Sequence, residues 1–201
     1  YKNTFDSIGG RSIFLYDITD ARIAKNSVSE SGGGVFLATS RRGVIMNNLV
    51  TDVRLSGITS YTNTDTWYAH NVVRDSGGHH ANAYTLGYLD NNGLLVEDNY
   101  SRHANISLTL QQSKNMVYYR NHFYTDTEFW PFAGWDGKMA DGTYPSNVYL
   151  VENTIVREGS TKPVVTISAN YTNVQYSNNI FSNLTSNFDP NPTLPNPIQQ
   201  P

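Results

Sequence analysis

The 201-residue chain contains no cysteine, which excludes disulfide bonds and thiolate metal sites. Only 15% of its residues are charged and the net charge is −3, so it lacks the basic stripe that a nucleic-acid-binding surface needs. It also has no apolar run of about 18 residues, the length that a membrane-spanning helix requires. These absences exclude nucleic acid as a partner and insertion into a membrane.

What the chain does have is asparagine at a nearly constant spacing. The interval between successive members of the series lies mostly in the low twenties, and it is longer after Asn71, Asn121 and Asn153. A period of this length indicates one structural unit repeated along the chain. The series consists of Asn3, Asn26, Asn48, Asn71, Asn99, Asn121, Asn153 and Asn179.

Apolar residues alternate with polar ones around each of these asparagines. Val148 and Leu150 precede Asn153, for example, and Ile155 follows it. Such alternation is typical of a strand with one buried face. A second apolar stretch, such as 106–110, follows in most repeats, with Gly, Ser, Asn or Asp between the two. Each repeat is therefore predicted to contain two or three short strands.

A unit of about 22 residues with three short strands closes one coil and lays each strand parallel to its copy, about 4.8 Å away. We therefore predict an all-β fold, a single-stranded right-handed parallel β-helix of about eight rungs over residues 1–185. The asparagines should stack as a ladder inside one turn, because a short amide suits strained turns and bonds to backbone groups. The longer intervals after Asn71 and Asn121 predict loops inserted in those two repeats.

The two ends of the chain differ in character. Tyr1 already lies inside a repeat, and a solenoid needs caps over its exposed strands, so we expect the chain to be part of a longer polypeptide. Residues 186–201 are rich in proline and asparagine and are predicted to form an extended tail.

The repeat resembles the rungs of the pectin-lyase-like superfamily, most clearly at 148–155 and 173–181 and at the turns 31–35 and 56–58. The resemblance extends over about residues 3–184. It implies a polysaccharide partner lying on the flat side of the solenoid and a location outside the cell or on a cell or virion surface. Within that superfamily, a polysaccharide lyase or glycoside hydrolase is the leading hypothesis, and a non-catalytic structural or adhesive shaft is the alternative. Because the superfamily includes tailspike-like members, the resemblance is also compatible with a homo-oligomer.

The catalytic signatures of that superfamily are mostly missing. Asn63-Thr64-Asp65 matches one motif of polygalacturonase-like enzymes, but their Asp pair, Gly-His-Gly and Arg-x-Lys motifs do not occur, nor does the Asp-Pro-His of uronan epimerases. The calcium-binding aspartates of pectate lyases cannot be assigned either. We therefore predict no metal ligands and no cofactor, and leave calcium open without assigned residues. The missing motifs favour the shaft, and Asn63-Thr64-Asp65 also fits an ordinary loop.

A doubled tripeptide is the most specific remaining feature. His80 and His103 each begin the sequence His-Ala-Asn, and they are one repeat period apart. If the turns are in register, His80 lies beside His103 and Asn82 beside Asn105, with His79 at the same corner.

Three imidazoles at one corner can serve different purposes. As catalytic groups, His79, His80 and His103 could exchange a proton with a uronate whose carboxylate Arg102 neutralises. They could instead hold a metal with Asp75 as an oxygen ligand. The third reading is structural, with His and Asn bonding to backbone groups that the turn leaves open.

Two aromatic segments complete the candidate site. Tyr84 and Tyr88 alternate with small residues, and we expect the small set to face the coil and the tyrosines to face solvent as a platform for sugar rings. The alternative is that the insert after Tyr88 covers them.

The second segment is the stretch 128–142, which is predicted to be an inserted loop. Trp135 could form a wall of a saccharide groove, with Asp136 and Lys138 as polar partners. The alternative is a hydrophobic plug on the flank of the solenoid, which we favour for Phe129 and Phe132.

Overall fold

A computed structural model describes residues 1–78, 81–126, 129–158 and 163–183. The regular elements of these residues are 23 β-strands, which pair in parallel with their copies in adjacent turns. The chain is a right-handed parallel β-helix, which confirms the predicted fold, with about seven turns where the sequence predicts about eight. No helix of the described parts is long and apolar enough to cross a membrane. The predicted tail lies outside the described residues.

The first sheet contains the strand that follows each ladder asparagine. Its inward side chains stack from turn to turn, as Val28, Val50 and Val73 do. The strands are β1 (Thr4–Asp6), β4 (Ser27–Ser29), β7 (Leu49–Thr51), β10 (Val72–Ser76), β14 (Tyr100–Ala104), β17 (His122–Thr125), β20 (Thr154–Arg157) and β23 (Ile180–Asn183).

The second sheet is built from the second apolar stretch of each repeat. Its strands are β2 (Arg11–Tyr16), β5 (Gly33–Ala38), β8 (Ile58–Tyr61), β11 (Asn82–Tyr88), β15 (Ile106–Leu110), β18 (Phe132–Gly134) and β21 (Val165–Ile167).

The third sheet contains the strand that precedes each ladder asparagine from Asn26 to Asn179. One short extra strand, β12 (Asn91–Asn92), pairs with β16. The other strands are β3 (Arg22–Ala24), β6 (Val44–Met46), β9 (Trp67–Ala69), β13 (Leu95–Glu97), β16 (Ser113–Tyr119), β19 (Ser146–Val151) and β22 (Thr172–Ser177).

The asparagine ladder is continuous from Asn3 to Asn179. Each side-chain oxygen accepts hydrogen bonds from the backbone N–H and the amide of the preceding ladder asparagine, as Asn71 does from Asn48 at 3.1 and 2.9 Å. The amide nitrogen of Asn71 also donates to the carbonyl of Ile45 at 2.8 Å. Backbone groups that the corner would leave buried and unpaired are satisfied in this way.

The residue before every ladder asparagine has a left-handed backbone conformation. Its φ lies between +50° and +58° at all eight positions, although none of these residues is glycine. They are Lys2, Lys25, Asn47, His70, Asp98, Arg120, Glu152 and Asn178. The corner therefore repeats as a backbone geometry and not as a residue type.

The segment expected to be a loop after Asn121 contains part of the solenoid. Phe132 belongs to β18 and is fully buried, with its ring 5.5 Å from that of Tyr118. Phe132 is thus a core residue and not a plug on the flank. The long excursion from the coil comes after Gly134, and the coil resumes at Ser146.

Candidate functional site

Tyr84 lies inside the coil. Its Cα pairs with those of Ile58 and Leu108 in the adjacent turns, and its side chain is fully buried. Its hydroxyl donates to the carbonyl of Asn71 at 2.8 Å and lies 2.9 Å from that of Tyr100. Burial raises the pKa of Tyr84 well above its ordinary value. The prediction that Tyr84 faces solvent and binds sugar is therefore wrong, because its position belongs to the inward column of the second sheet.

The next residue, Thr85, faces outward from the second sheet. It is in register with Thr59 and Thr109, so three threonines form a column along the solenoid axis. This column is the floor of a groove of about 690 Å³ on the outer face of the second sheet, and we refer to it below as the groove. Asn82 and Asn105 line the groove on the side where the strands begin.

Aromatic rings line the side of the groove where the strands end. Phe14, Phe36, Tyr61 and Tyr88 form an aromatic column in four successive turns, with centroids 5.1, 5.9 and 5.1 Å apart. Of these four, Phe36, Tyr61 and Tyr88 line the groove, and Phe36 is in register with Thr59 of its floor. Tyr88 is 39% exposed, so no insert covers it. One turn further along, Gln111 continues this side of the groove.

A β-bulge places Tyr88 in this column. The register between β11 and β8 shifts between Leu86 and Tyr88, so that Tyr88 pairs with Tyr61. Gly87, between them, has a φ of +123°, which side-chain-bearing residues rarely adopt. The glycine thus turns the following aromatic side chain toward the groove.

Two tryptophans stand at the far end of the groove. Trp130 and Trp135 flank β18, and their rings meet edge to face with centroids 5.2 Å apart. The backbone N–H of Trp135 donates to the carbonyl of Leu110 at 2.8 Å, and Phe129 lines the same end. Trp135 therefore stands at a wall of the groove, and its contact with a saccharide stays a prediction.

The two polar residues predicted to accompany Trp135 point to other partners. The Asp136 carboxylate accepts hydrogen bonds from the Asn170 amide, with both oxygens at 3.0 Å. The Lys138 ammonium lies 5.4 Å from the centre of the Tyr144 ring. Neither Asp136 nor Lys138 lines the groove, so their predicted contact with a ligand there is not supported.

His103 lies between two carboxylates from neighbouring turns. Its Nδ1 is 2.9 Å from Oδ1 of Asp75, and its Nε2 is 3.2 Å from Oδ2 of Asp126. Each ring nitrogen thus faces one carboxylate, from the preceding and from the following turn. His103 is therefore held as the central member of an Asp–His–Asp column.

The predicted pairing of the two His-Ala-Asn tripeptides is wrong. The neighbour of His103 in the preceding turn is Asp75, because the strands pair with the 28-residue offset that separates Asn71 from Asn99. The Cα partner of Asn82 is Ile106 and not Asn105. His79 and His80 lie outside the described residues.

Arg102 belongs to a different face of the solenoid. It is in register with Arg74, both side chains are exposed on the outer face of the first sheet, and its guanidinium lies 5.2 Å from the centre of the Tyr124 ring. Asn63, which matched a polygalacturonase-like motif, is buried and donates to the Leu37 carbonyl at 2.7 Å. The Asn63 side chain thus serves a corner of the coil.

One cluster in the described residues brings three potential metal ligands within 4.8 Å of one another, namely His70, Glu97 and Asp98. Calcium takes six to eight oxygen ligands, whereas this cluster offers two carboxylates and an imidazole. Asp98 also accepts a hydrogen bond from Arg120 at 2.7 Å. The cluster therefore does not fit calcium.

Sequence reasoning misses part of the groove. It does not single out Phe36, Tyr61 or Thr59, and it assigns Thr85 to the interior. An alignment of the repeats would not have found the aromatic column, because Phe36 is in register with Thr59 and Tyr61 with Ala38, so the two aromatic residues are two positions apart in their strands.

Comparison with known proteins identifies the fold of this chain and does not identify its function. No protein-family model and no curated protein sequence matches the chain. Among solved structures, a double mutant of the periplasmic alginate epimerase AlgG is similar over 88% of this chain, with a TM-score of 0.72 and 15% identity. An alginate lyase from Paenibacillus is similar over 88% of this chain and 76% of its own, with a TM-score of 0.52 and 11% identity. The chain spans 44% of the length of the epimerase structure. The fold of this chain is therefore the right-handed parallel β-helix that its resemblance to the pectin-lyase-like superfamily predicted.

Proposed function

We propose that this β-helix binds a polysaccharide along the groove, with the glycan parallel to the solenoid axis. The observation that carries the proposal is the aromatic column beside the threonine floor. Sugar rings present C–H faces that pack on aromatic rings and hydroxyls that bond to polar side chains.

The dimensions of the groove suit a short stretch of polymer. Its lining extends from Arg11 in the first turn to Trp135 in the sixth. Five intervals of about 4.8 Å give roughly 24 Å, which accommodates roughly five hexose residues. We also propose a location outside the cytoplasm or on a surface, supported by the likeness to a periplasmic epimerase.

Removing aromatic rings from the groove is expected to weaken glycan binding. We expect Tyr88→Ala and Trp135→Ala each to raise the Kd roughly tenfold, since the lost ring contact costs about 1.4 kcal/mol. The matched control is Tyr16→Ala, because Tyr16 is 60% exposed but lies outside the groove. Isothermal titration against a panel of neutral and uronic-acid oligosaccharides measures the effect. Equal affinities for all four proteins would reject the groove as the binding site.

Cleavage of the glycan is the more specific version of this proposal. Hydrolysis by a carboxylate pair needs two carboxylates roughly 5–10 Å apart across the scissile bond. None of the described residues that line the groove is an aspartate or a glutamate. The described lining thus supports binding, and it does not support hydrolysis by such a pair.

Lyase chemistry would need a proton acceptor, and His103 is the described imidazole proposed for that role. Because both of its nitrogens face carboxylates, we expect His103→Ala to change any lyase turnover by less than about twofold. The measurement is the absorbance of unsaturated uronate ends released from polyuronates, with circular dichroism as the check on folding. A loss of 100-fold or more in a folded variant would instead establish His103 as catalytic.

A further inference from the structure

We infer that the groove takes an uncharged glycan and discriminates against polyuronates. This inference rests on the proposed function and narrows its substrate class. It is independent of the fold comparison, since both alginate-active proteins named above are similar to this chain in fold alone.

The first argument for an uncharged ligand is the small number of charged side chains that line the groove. Among the described lining residues, Arg11 is the one charged side chain, and it stands at the end nearest the start of the chain. Its guanidinium carbon is 4.0 Å from the centre of the Phe36 ring, so the cation already rests on an aromatic face. From Thr59 onward the described lining is aromatic, aliphatic, hydroxyl or amide.

A polyuronate would place one carboxylate on every sugar residue. Roughly five of them would fall within the roughly 24 Å of the groove. Moving a carboxylate from water to a surface with few cations costs free energy unless a partner or hydrogen-bond donors replace the lost water. Arg11 could compensate one carboxylate at one end, which leaves the others against neutral threonine, amide and aromatic side chains.

Apart from Arg11, no arginine or lysine is among the described residues that line the groove. Arg74 and Arg102 project from the first sheet, and Arg102 rests against Tyr124. His103 lies between the carboxylates of Asp75 and Asp126 and is not among the residues that line the groove. These groups therefore do not supply the missing countercharge within the groove.

The polar groups that do line the groove suit hydroxyls. The Gln111 amide, which makes no side-chain hydrogen bond in the described structure, offers both donor and acceptor to a sugar. Thr85 bonds to Ser56 at 2.8 Å, and a hydroxyl pair of this kind can exchange donor and acceptor roles when a ligand hydroxyl arrives. Tyr61 and Tyr88 supply the apolar faces.

The test compares two sets of hexasaccharides at equal concentration and low ionic strength. The neutral set contains β-1,4-linked glucose, mannose and xylose and α-1,3-linked glucose; the charged set contains hexamers of mannuronate, guluronate and galacturonate. We expect the best neutral hexamer to bind at least tenfold more tightly than any hexauronate, with a Kd that changes less than twofold when salt is raised.

A charge-adding variant makes the test sharper. Gln111→Lys places a cation within the groove and is expected to improve hexauronate binding at least threefold, whereas Tyr16→Lys, off the groove, should not. A hexauronate that binds the unmodified protein more tightly than every neutral hexamer would overturn the inference and leave the proposed function standing. Failure of both sets to bind would overturn the proposed function, and the inference with it.

Discussion

Replacing Asn99 by alanine is expected to destabilise the β-helix by roughly 3–5 kcal/mol, because several buried polar groups lose their partners at once. The Asn99 oxygen accepts from the backbone N–H and the amide of Asn71, both at 3.0 Å. Its amide nitrogen lies 2.8 Å from the Tyr68 carbonyl, 2.9 Å from that of Glu97 and 3.0 Å from the Asn121 oxygen. Asn99 is fully buried, so water cannot replace these bonds in an unchanged structure.

A second asparagine column on the surface provides the control. Asn115 is exposed and bonds to Asn92 at 2.7 Å and to Asn147 at 2.8 Å. Asn115→Gly keeps the left-handed backbone that Asn115 adopts at φ +57° and should cost less than about 1 kcal/mol, because water replaces the lost bonds. Urea unfolding followed by circular dichroism compares the two. Similar shifts in midpoint for both variants would refute a special role for the buried ladder.

The second large effect concerns Gly57, where the chain passes from the first to the second sheet. A Cβ at this position would lie 2.4 Å from Cγ1 of Val73 and 2.8 Å from the carbonyl oxygen of Ala83. The latter is backbone and cannot move aside without disturbing β11. We expect Gly57→Ala to lower the free energy of unfolding by about 3 kcal/mol through overpacking.

Gly77→Ala is the matched substitution, since nothing lies within 4 Å of a Cβ built there. We expect its effect on the free energy of unfolding to stay within about 1 kcal/mol, or to be slightly favourable, because alanine restricts the unfolded chain. Thermal unfolding of both variants at one protein concentration distinguishes the two cases. Equal melting temperatures for both would show that the corner yields to a methyl group at little cost.

The fold could be predicted from the sequence because its two main signals are local. Asparagine spacing marked the corner, and apolar alternation around Asn153 marked the strands. Both signals act through contacts that recur in every turn, so a single sequence contains many independent copies of each.

The site could be predicted only in part, because it depends on register between turns. The sequence interval between the two His-Ala-Asn tripeptides is one residue shorter than the interval between Tyr84 and Leu108. These two residues pair in the strands that follow the tripeptides. A slip of this size sends every side chain of a strand to the opposite face. Tyr84 fits inside because the facing column carries Ser101 between Val73 and Phe123, which leaves room for its ring.

The residue types of Trp135 and Tyr88 suggest a saccharide groove, but their positions within it do not follow from the sequence. The bulge at Gly87 and the strand within 132–134 each depend on contacts with a neighbouring turn. Neither has a signature within its own segment that separates it from an ordinary loop.

The left-handed residue before each ladder asparagine has an evolutionary consequence. Lysine, asparagine, histidine, aspartate, arginine and glutamate all occupy that position in one molecule, so the corner tolerates polar side chains of either charge provided that the following ladder asparagine is kept. Selection on such a molecule constrains a few interior sites and leaves the remaining surface free to diverge. Related sequences can then diverge until their similarity is lost while the fold is kept. A single turn can also acquire a new binding specificity without changes in the two neighbouring turns.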